Sequence, residues 1–209
     1  MRIAELSRRT GVPVPTIKYY LREGLLPPGE RTSPNQASYD ESHVHRVRLV
    51  RALVEVGGVS IAAAREVLRL MHEPGRTPLM SLGKVHFAVQ AARLPHTDAP
   101  SAAAVEQAAA LIERQGWQVR ETNPARQALA GVLDYLARLG QPDALGMLDT
   151  YAAAATQLAS AEIDTLTHSS VDAMAEHAVT ITVLGNALLA ALRGLAQESA
   201  GTAKMGRDG

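Results

Sequence analysis

"PTIKYYLREGLLPPGER", residues 15–31, decides how the chain is read. Pro15 suits the first turn of a helix, where its missing N–H would lack a partner anyway. Gly24 ends that helix, because glycine takes the left-handed turn that closes one. Between them lie Thr16, Lys18, Tyr19, Tyr20 and Arg22. Neighbouring residues on a helix point about 100° apart, so Tyr19 and Tyr20 do not share a face. Either one ring faces outward and the other packs, or both are core tyrosines with satisfied hydroxyls.

The flanking sequence extends the pattern. In "IAELSRRTGV" (3–12), Ile3, Leu6 and Val12 fall at near-helical spacing and Gly11 stops the helix. A tight turn over 11–13 then joins two short helices, which is helix-turn-helix organisation. "PPGERTSPNQAS" (27–38) is a turn-rich loop or a small hairpin. "YDESHVHRVRLVRALVEVG" (39–57) predicts a third helix, with Val44, Val47, Val50 and Val54 inward and Arg46, Arg48 and Arg51 on its flanks. "SIAAAREVLRLMH" (60–72) predicts a fourth, capped by Ser60. Pro74-Gly75 and Pro78 then break the chain.

The remainder reads as helices over 79–94, 101–116, 123–140, 142–166 and 170–198, with Asn123 as an N-cap and Pro124 behind it. The last helix is apolar on most faces from 178 to 195, so it is expected to be buried on more than one side, in part against another subunit. The expected fold class is therefore mainly all-α: an N-terminal helix-turn-helix with a turn-rich loop or small hairpin behind it, plus a C-terminal helical bundle. The expected units run over 1–73 and over 79–198, the second helical throughout, followed by a disordered tail over 199–209.

Composition narrows the function. The chain has 209 residues, no cysteine and 3% aromatics. Disulfides, thiolate metal sites and cysteine redox sensing are excluded, and a reducing cytoplasm fits. The zero net charge hides a split: residues 1–72 hold 11 Lys+Arg and 7 Asp+Glu, leaving 10 and 14 for 73–209. A basic N-terminal third suits a polyanion. The start of the chain shows no secretory signal. The longest uncharged apolar stretch, between His177 and Arg193, contains Thr180, Thr182 and Asn186 and falls short of the roughly 20 residues that span a bilayer. No membrane partner is expected. There is no Gly-rich phosphate loop, no nucleophile–His–acid arrangement and no HExxH, so an enzyme is not expected.

Taken in order, "RIAELSRRTGV", "TIKYYLREGLLPP", Tyr39 and "VGGVSIAAAREVL" resemble the MerR-type transcriptional regulators over about the first third of the chain. The resemblance implies that 1–73 is a winged helix-turn-helix DNA-binding domain with a small β wing, and that 79–198 is a helical effector and dimerisation domain. It also implies a dimer on double-stranded promoter DNA, acting indirectly on RNA polymerase by bending or untwisting the spacer. It assigns Tyr19 to DNA and Tyr20 to the core. Thr16, Lys18 and Arg22 belong to the same DNA-facing helix, and Arg31 and Tyr39 to the wing. In the wing the sequence departs from the family pattern: Asn35, Gln36 and Ala37 stand where a glycine and a second arginine are usual. Arg8, Arg9, Arg46 and Arg48 are candidate backbone clamps or ordinary solvated arginines.

No cofactor is expected. Phe87, Trp117, Tyr135 and Tyr151, the aromatics beyond the first third, either line a small-molecule effector site between helices or simply pack. Asp164, His168, Asp172, Glu176 and His177 include i,i+4 pairs of metal-ligand type, equally explained by a polar helix end, and no metal site is assigned. Alternatives to a ligand-responsive regulator are a metabolite-sequestering protein that controls its own expression, and an architectural DNA-binding protein.

Overall fold

The structure is a computed structural model that describes residues 1–33, 36–71, 99–165 and 171–206, with backbone alone at 171–175 and 178. Its elements are α1 (Ile3–Thr10), α2 (Val14–Arg22), β1 (Glu30–Ser33), β2 (Gln36–Ser38), α3 (Glu41–Arg51) and α4 (Ile61–Met71). They continue with α5 (Ala102–Arg114), α6 (Pro124–Arg138), α7 (Pro142–Gly146), α8 (Leu148–Asp164) and α9 (Val171–Met205). The mainly helical class with a two-stranded wing agrees with the sequence reading. The expected helix over 79–94 lies outside the described residues.

The first four helices share one core. Leu6 of α1, Ile17 and Tyr20 of α2, Val47 and Val50 of α3, and Val67 and Leu68 of α4 are all buried there. Burying side chains of this size stabilises by about 1.5–3 kcal/mol each. Asp40 caps α3, its carboxylate accepting from the His43 N–H at 3.2 Å. The end of α3 widens into a π turn over Ala52–Val56, where the Gly57 N–H reaches back to the Ala52 carbonyl at 2.8 Å.

A second, smaller core forms between α5 and α6, where Ala104, Ala108 and Ala130 let the helices approach and Leu133 fills the space. Ser101 and Asn123 cap these two helices through their side chains. The helix expected over 142–166 is broken at Met147 into α7 and α8.

The longest element is α9, 35 residues. Its N-terminal half docks on the first core: Val179 and Val183 are completely buried there, among the side chains of α1–α4. Its C-terminal half carries the exposed Leu188, Leu192 and Leu195. Helical phase places these three opposite Val179 and Val183. The helix is continuous to Met205, so 199–205 are helical where the small polar residues suggest a tail. From Val179 to Met205 it is long and apolar enough, by length and composition, to cross a bilayer.

Candidate nucleic-acid interface

The short helix α2 owes its exit to Gly24, whose φ of 71° is left-handed. The Leu25 N–H returns to the Tyr20 carbonyl at 2.9 Å and the Gly24 N–H to the Leu21 carbonyl at 3.3 Å. This pair of bonds satisfies the last carbonyls of the helix and turns the chain sharply toward the wing.

The two tyrosines divide as their phase requires. Tyr20 is buried in the core, and its burial raises the hydroxyl's pKa. Tyr19 is half-exposed, with its ring 6.3 Å from that of Tyr20 and the Arg22 guanidinium 5.3 Å above it. Lys18 is exposed beside it, and Thr16 is half-exposed one turn earlier.

The wing pairs Glu30 with Ser38 and Arg31 with Ala37, antiparallel, with an irregularity before Ser33. It is pinned to the start of α1 by the Tyr39 N–H, which donates to the Met1 carbonyl at 2.8 Å. The Tyr39 ring is buried, edge-on to His43 at 5.2 Å. Gly29 passes so close beneath it that a Cβ there would sit 2.9 Å from the ring.

Between α2, the wing and the start of α1 lies a groove of about 500 Å³. Lys18 and Leu21 form one wall, Arg31 and Gln36 another, and Arg2 and Tyr39 lie between them. Arg2, Lys18 and Arg31 are exposed, and among the described residues none of the three is in an ion pair. Several other arginines of α1–α4 are engaged. Arg8 binds Glu5 at 2.6 Å, and Arg9 binds Glu41, which raises the Arg9 pKa and lowers that of Glu41. Arg48 donates to the Arg9 carbonyl at 3.4 Å.

Arg46 is half-buried and turned inward, donating to the Leu25 carbonyl at 2.9 Å. A backbone clamp on DNA needs its guanidinium facing out, and Arg46 does not present it so. Nothing local in the sequence distinguishes Arg2. It joins the groove only when the wing folds back onto α1.

Among the described residues the effector candidates Trp117, Tyr135 and Tyr151 do not line one common pocket. Trp117 donates from its indole N–H to Thr156 at 3.1 Å and, with Val119 and Ile163, walls a groove of about 650 Å³ over the small residues Ala155 and Ala159 of α8. Tyr135 is exposed beneath Arg138, and the Tyr151 hydroxyl accepts from Arg193 at 2.7 Å. Phe87 and His168 lie outside the described residues. Glu176 contacts His45, and His177 contacts Thr165 at 3.0 Å. Among the described residues no three potential ligands gather to hold a metal.

Residues 1–70 match the family described as "MerR HTH family regulatory protein". Over nearly its whole length the chain also matches a solved structure, that of SCO5550 from Streptomyces coelicolor A3(2), described as a transcriptional regulator. The identity is 39%, the TM-score 0.67, and the match covers 96% of this chain and 95% of that one. The N-terminal part of the chain, residues 1–70, is a MerR-family helix-turn-helix domain.

Curated MerR-family relatives share the N-terminal part. Nodulation protein NolA of Bradyrhizobium sp. (strain NC92) is 40% identical over 86 residues, 41% of this chain and 34% of NolA. CueR of Yersinia pestis, an HTH-type transcriptional regulator, is 32% identical over 76 residues, 36% of this chain and 54% of CueR. The matches thus span about a third to a half of these relatives. The helical part beyond α4 is shared with the Streptomyces protein.

Proposed function

We propose that the protein is a cytoplasmic transcriptional regulator that binds promoter DNA as a homodimer and responds to a small molecule. The observation that carries the DNA-binding reading is the set of unpaired cations, Arg2, Lys18 and Arg31, around the groove between α2 and the wing. Arginine and lysine without carboxylate partners are what a phosphate backbone neutralises. Thr16 and Lys18 lie where a recognition helix meets base edges and flanking phosphates. Tyr19 and Arg22 form an outward pair for the backbone. Arg8 and Arg48, exposed on α1 and α3, are secondary contacts, as is Arg9 when it leaves Glu41.

The unit over 1–73 reads DNA and the helical part over 79–198 senses and dimerises. The Trp117 groove is the effector site, taking a small apolar molecule against the indole. The dimer forms through the Leu188, Leu192 and Leu195 face of α9. RNA polymerase is affected indirectly, at the promoter.

The test is selection of bound fragments from a random DNA pool, followed by footprinting. The reading expects an inverted repeat with half-sites about one helical turn, or a multiple of it, apart. A single unrepeated footprint contradicts the dimer. Recovery of no preferred sequence contradicts specific regulation and favours an architectural role.

A further inference from the structure

Arg46 and Glu176 lie 130 positions apart in the chain, and the Glu176 carboxylate reaches His45, the residue beside Arg46, near the end of the recognition helix. The Leu25 N–H closes the cap of α2, and the Leu25 carbonyl accepts from Arg46 at 2.9 Å. One side chain on α3 therefore holds the turn from which both the recognition helix and the wing depart. Burial lowers the pKa of this guanidinium, and the carboxylate of Glu176 acts in the opposite sense. Glu176 Oε1 also lies 2.6 Å from Nε2 of His45, the residue next to Arg46.

A guanidinium taken partly out of water is costly unless an anion compensates it. The carboxylate on α9 that bonds to the neighbouring His45 supplies a negative charge on this side. The position of α9 is set in turn by Val179 and Val183, fully buried in the core that holds Tyr20 and Leu25.

We propose that Glu176 and Arg46 are positioning residues for the recognition helix, through which α9, and with it the helical part of the chain, acts on the DNA-reading element. A tilt of α9 moves Glu176 relative to Arg46. The guanidinium then loses either its compensating charge or its bond to Leu25, and the cap of α2 loosens. The proposal rests on the reading of α2 as the element that meets DNA.

The experiment is hydrogen–deuterium exchange on the full chain, wild type and Glu176→Gln, paired with binding to a DNA fragment selected by the wild type. Glutamine keeps the shape of the side chain and removes its charge. Exchange of the Leu25 and Leu26 amides is expected to rise several-fold, with exchange in α5 unchanged. The dissociation constant is expected to rise several-fold with an unaltered salt slope, because no phosphate contact is removed. Arg46→Met should raise exchange at the same two amides, and adding Glu176→Gln to it should have little further effect.

Wild-type exchange at Leu25 and Leu26 in Glu176→Gln overturns the proposal, as does acceleration spread evenly over the whole chain. A salt slope reduced by about one unit would make Arg46 or its neighbour a phosphate contact instead, and would also overturn it. If the wild type selects no DNA, the reading of α2 fails on its own, and the exchange data still decide whether Glu176 holds the cap.

Discussion

A Cβ on Gly57 would lie 2.0 Å from Cγ1 of Val183. The close approach joins the π turn after α3 to the helix that ends the chain. Backbone geometry at Gly57 is ordinary, with φ −75°, so it is the neighbours that exclude a side chain. The Leu53 carbonyl adds to this, 2.6 Å from the same Cβ position.

Gly57→Ala should therefore destabilise the protein by about 1–3 kcal/mol, the usual cost of overpacking. Adding Val183→Ala should recover part of the loss, since Leu53 still crowds the site. Chemical denaturation of the two single variants and the double variant measures the coupling. Strictly additive losses would mean that Val183 and Gly57 do not press on one another.

Asp40 gives a pH signature. Its carboxylate accepts first from the Ser42 hydroxyl and then from His43, and these bonds hold its pKa well below the ordinary value of 3.8. A carboxylate depressed in the folded state stabilises it above the unfolded pKa, and that contribution is lost as pH falls toward the folded value. The wild type should melt higher than Asp40→Asn at neutral pH, and the gap should close progressively below about pH 4. A constant gap across that window would mean that the capping bonds do not depend on the charge.

Leu188, Leu192 and Leu195 predict how the chain assembles. They lie exposed on the face of α9 opposite the buried Val179 and Val183. Replacing all three by glutamine should convert a dimer into a monomer in light scattering, with the thermal transition of α1–α4 retained. A dimer that survives the triple change would move the interface away from this face, and binding of the wild type to lipid vesicles would assign the face to a membrane.

The features that were legible in the sequence are local ones. Gly24 announces the end of α2, and the 100° step between Tyr19 and Tyr20 puts one outside and one inside; both depend on residues a few positions apart. The fates of the arginines were not legible. Arg9 meets Glu41 across 32 positions and Arg46 meets Leu25 across 21, so an arginine that looks free in sequence can be spent inside the fold. Tyr39 misleads in the same way, since its ring packs on His43 once the wing folds back. The helical stretch over 199–205 was hidden by Gly201, whose helix penalty of about 1 kcal/mol is offset by the long preceding helix. Arg2, Lys18 and Arg31 come together only through tertiary structure, and they are the part of the candidate site that sequence alone could not assemble.

The salt dependence of binding to a selected promoter fragment tests this set most directly, by comparing the wild type with the Arg2→Ala, Lys18→Ala, Arg31→Ala triple variant. Each phosphate contact contributes about 0.9 to the slope of log K against log salt. If all three cations meet phosphates, the slope of the triple variant is shallower by about 2.7 at an unchanged melting temperature. A triple variant with the wild-type slope and affinity would contradict the account and place the DNA elsewhere on the protein.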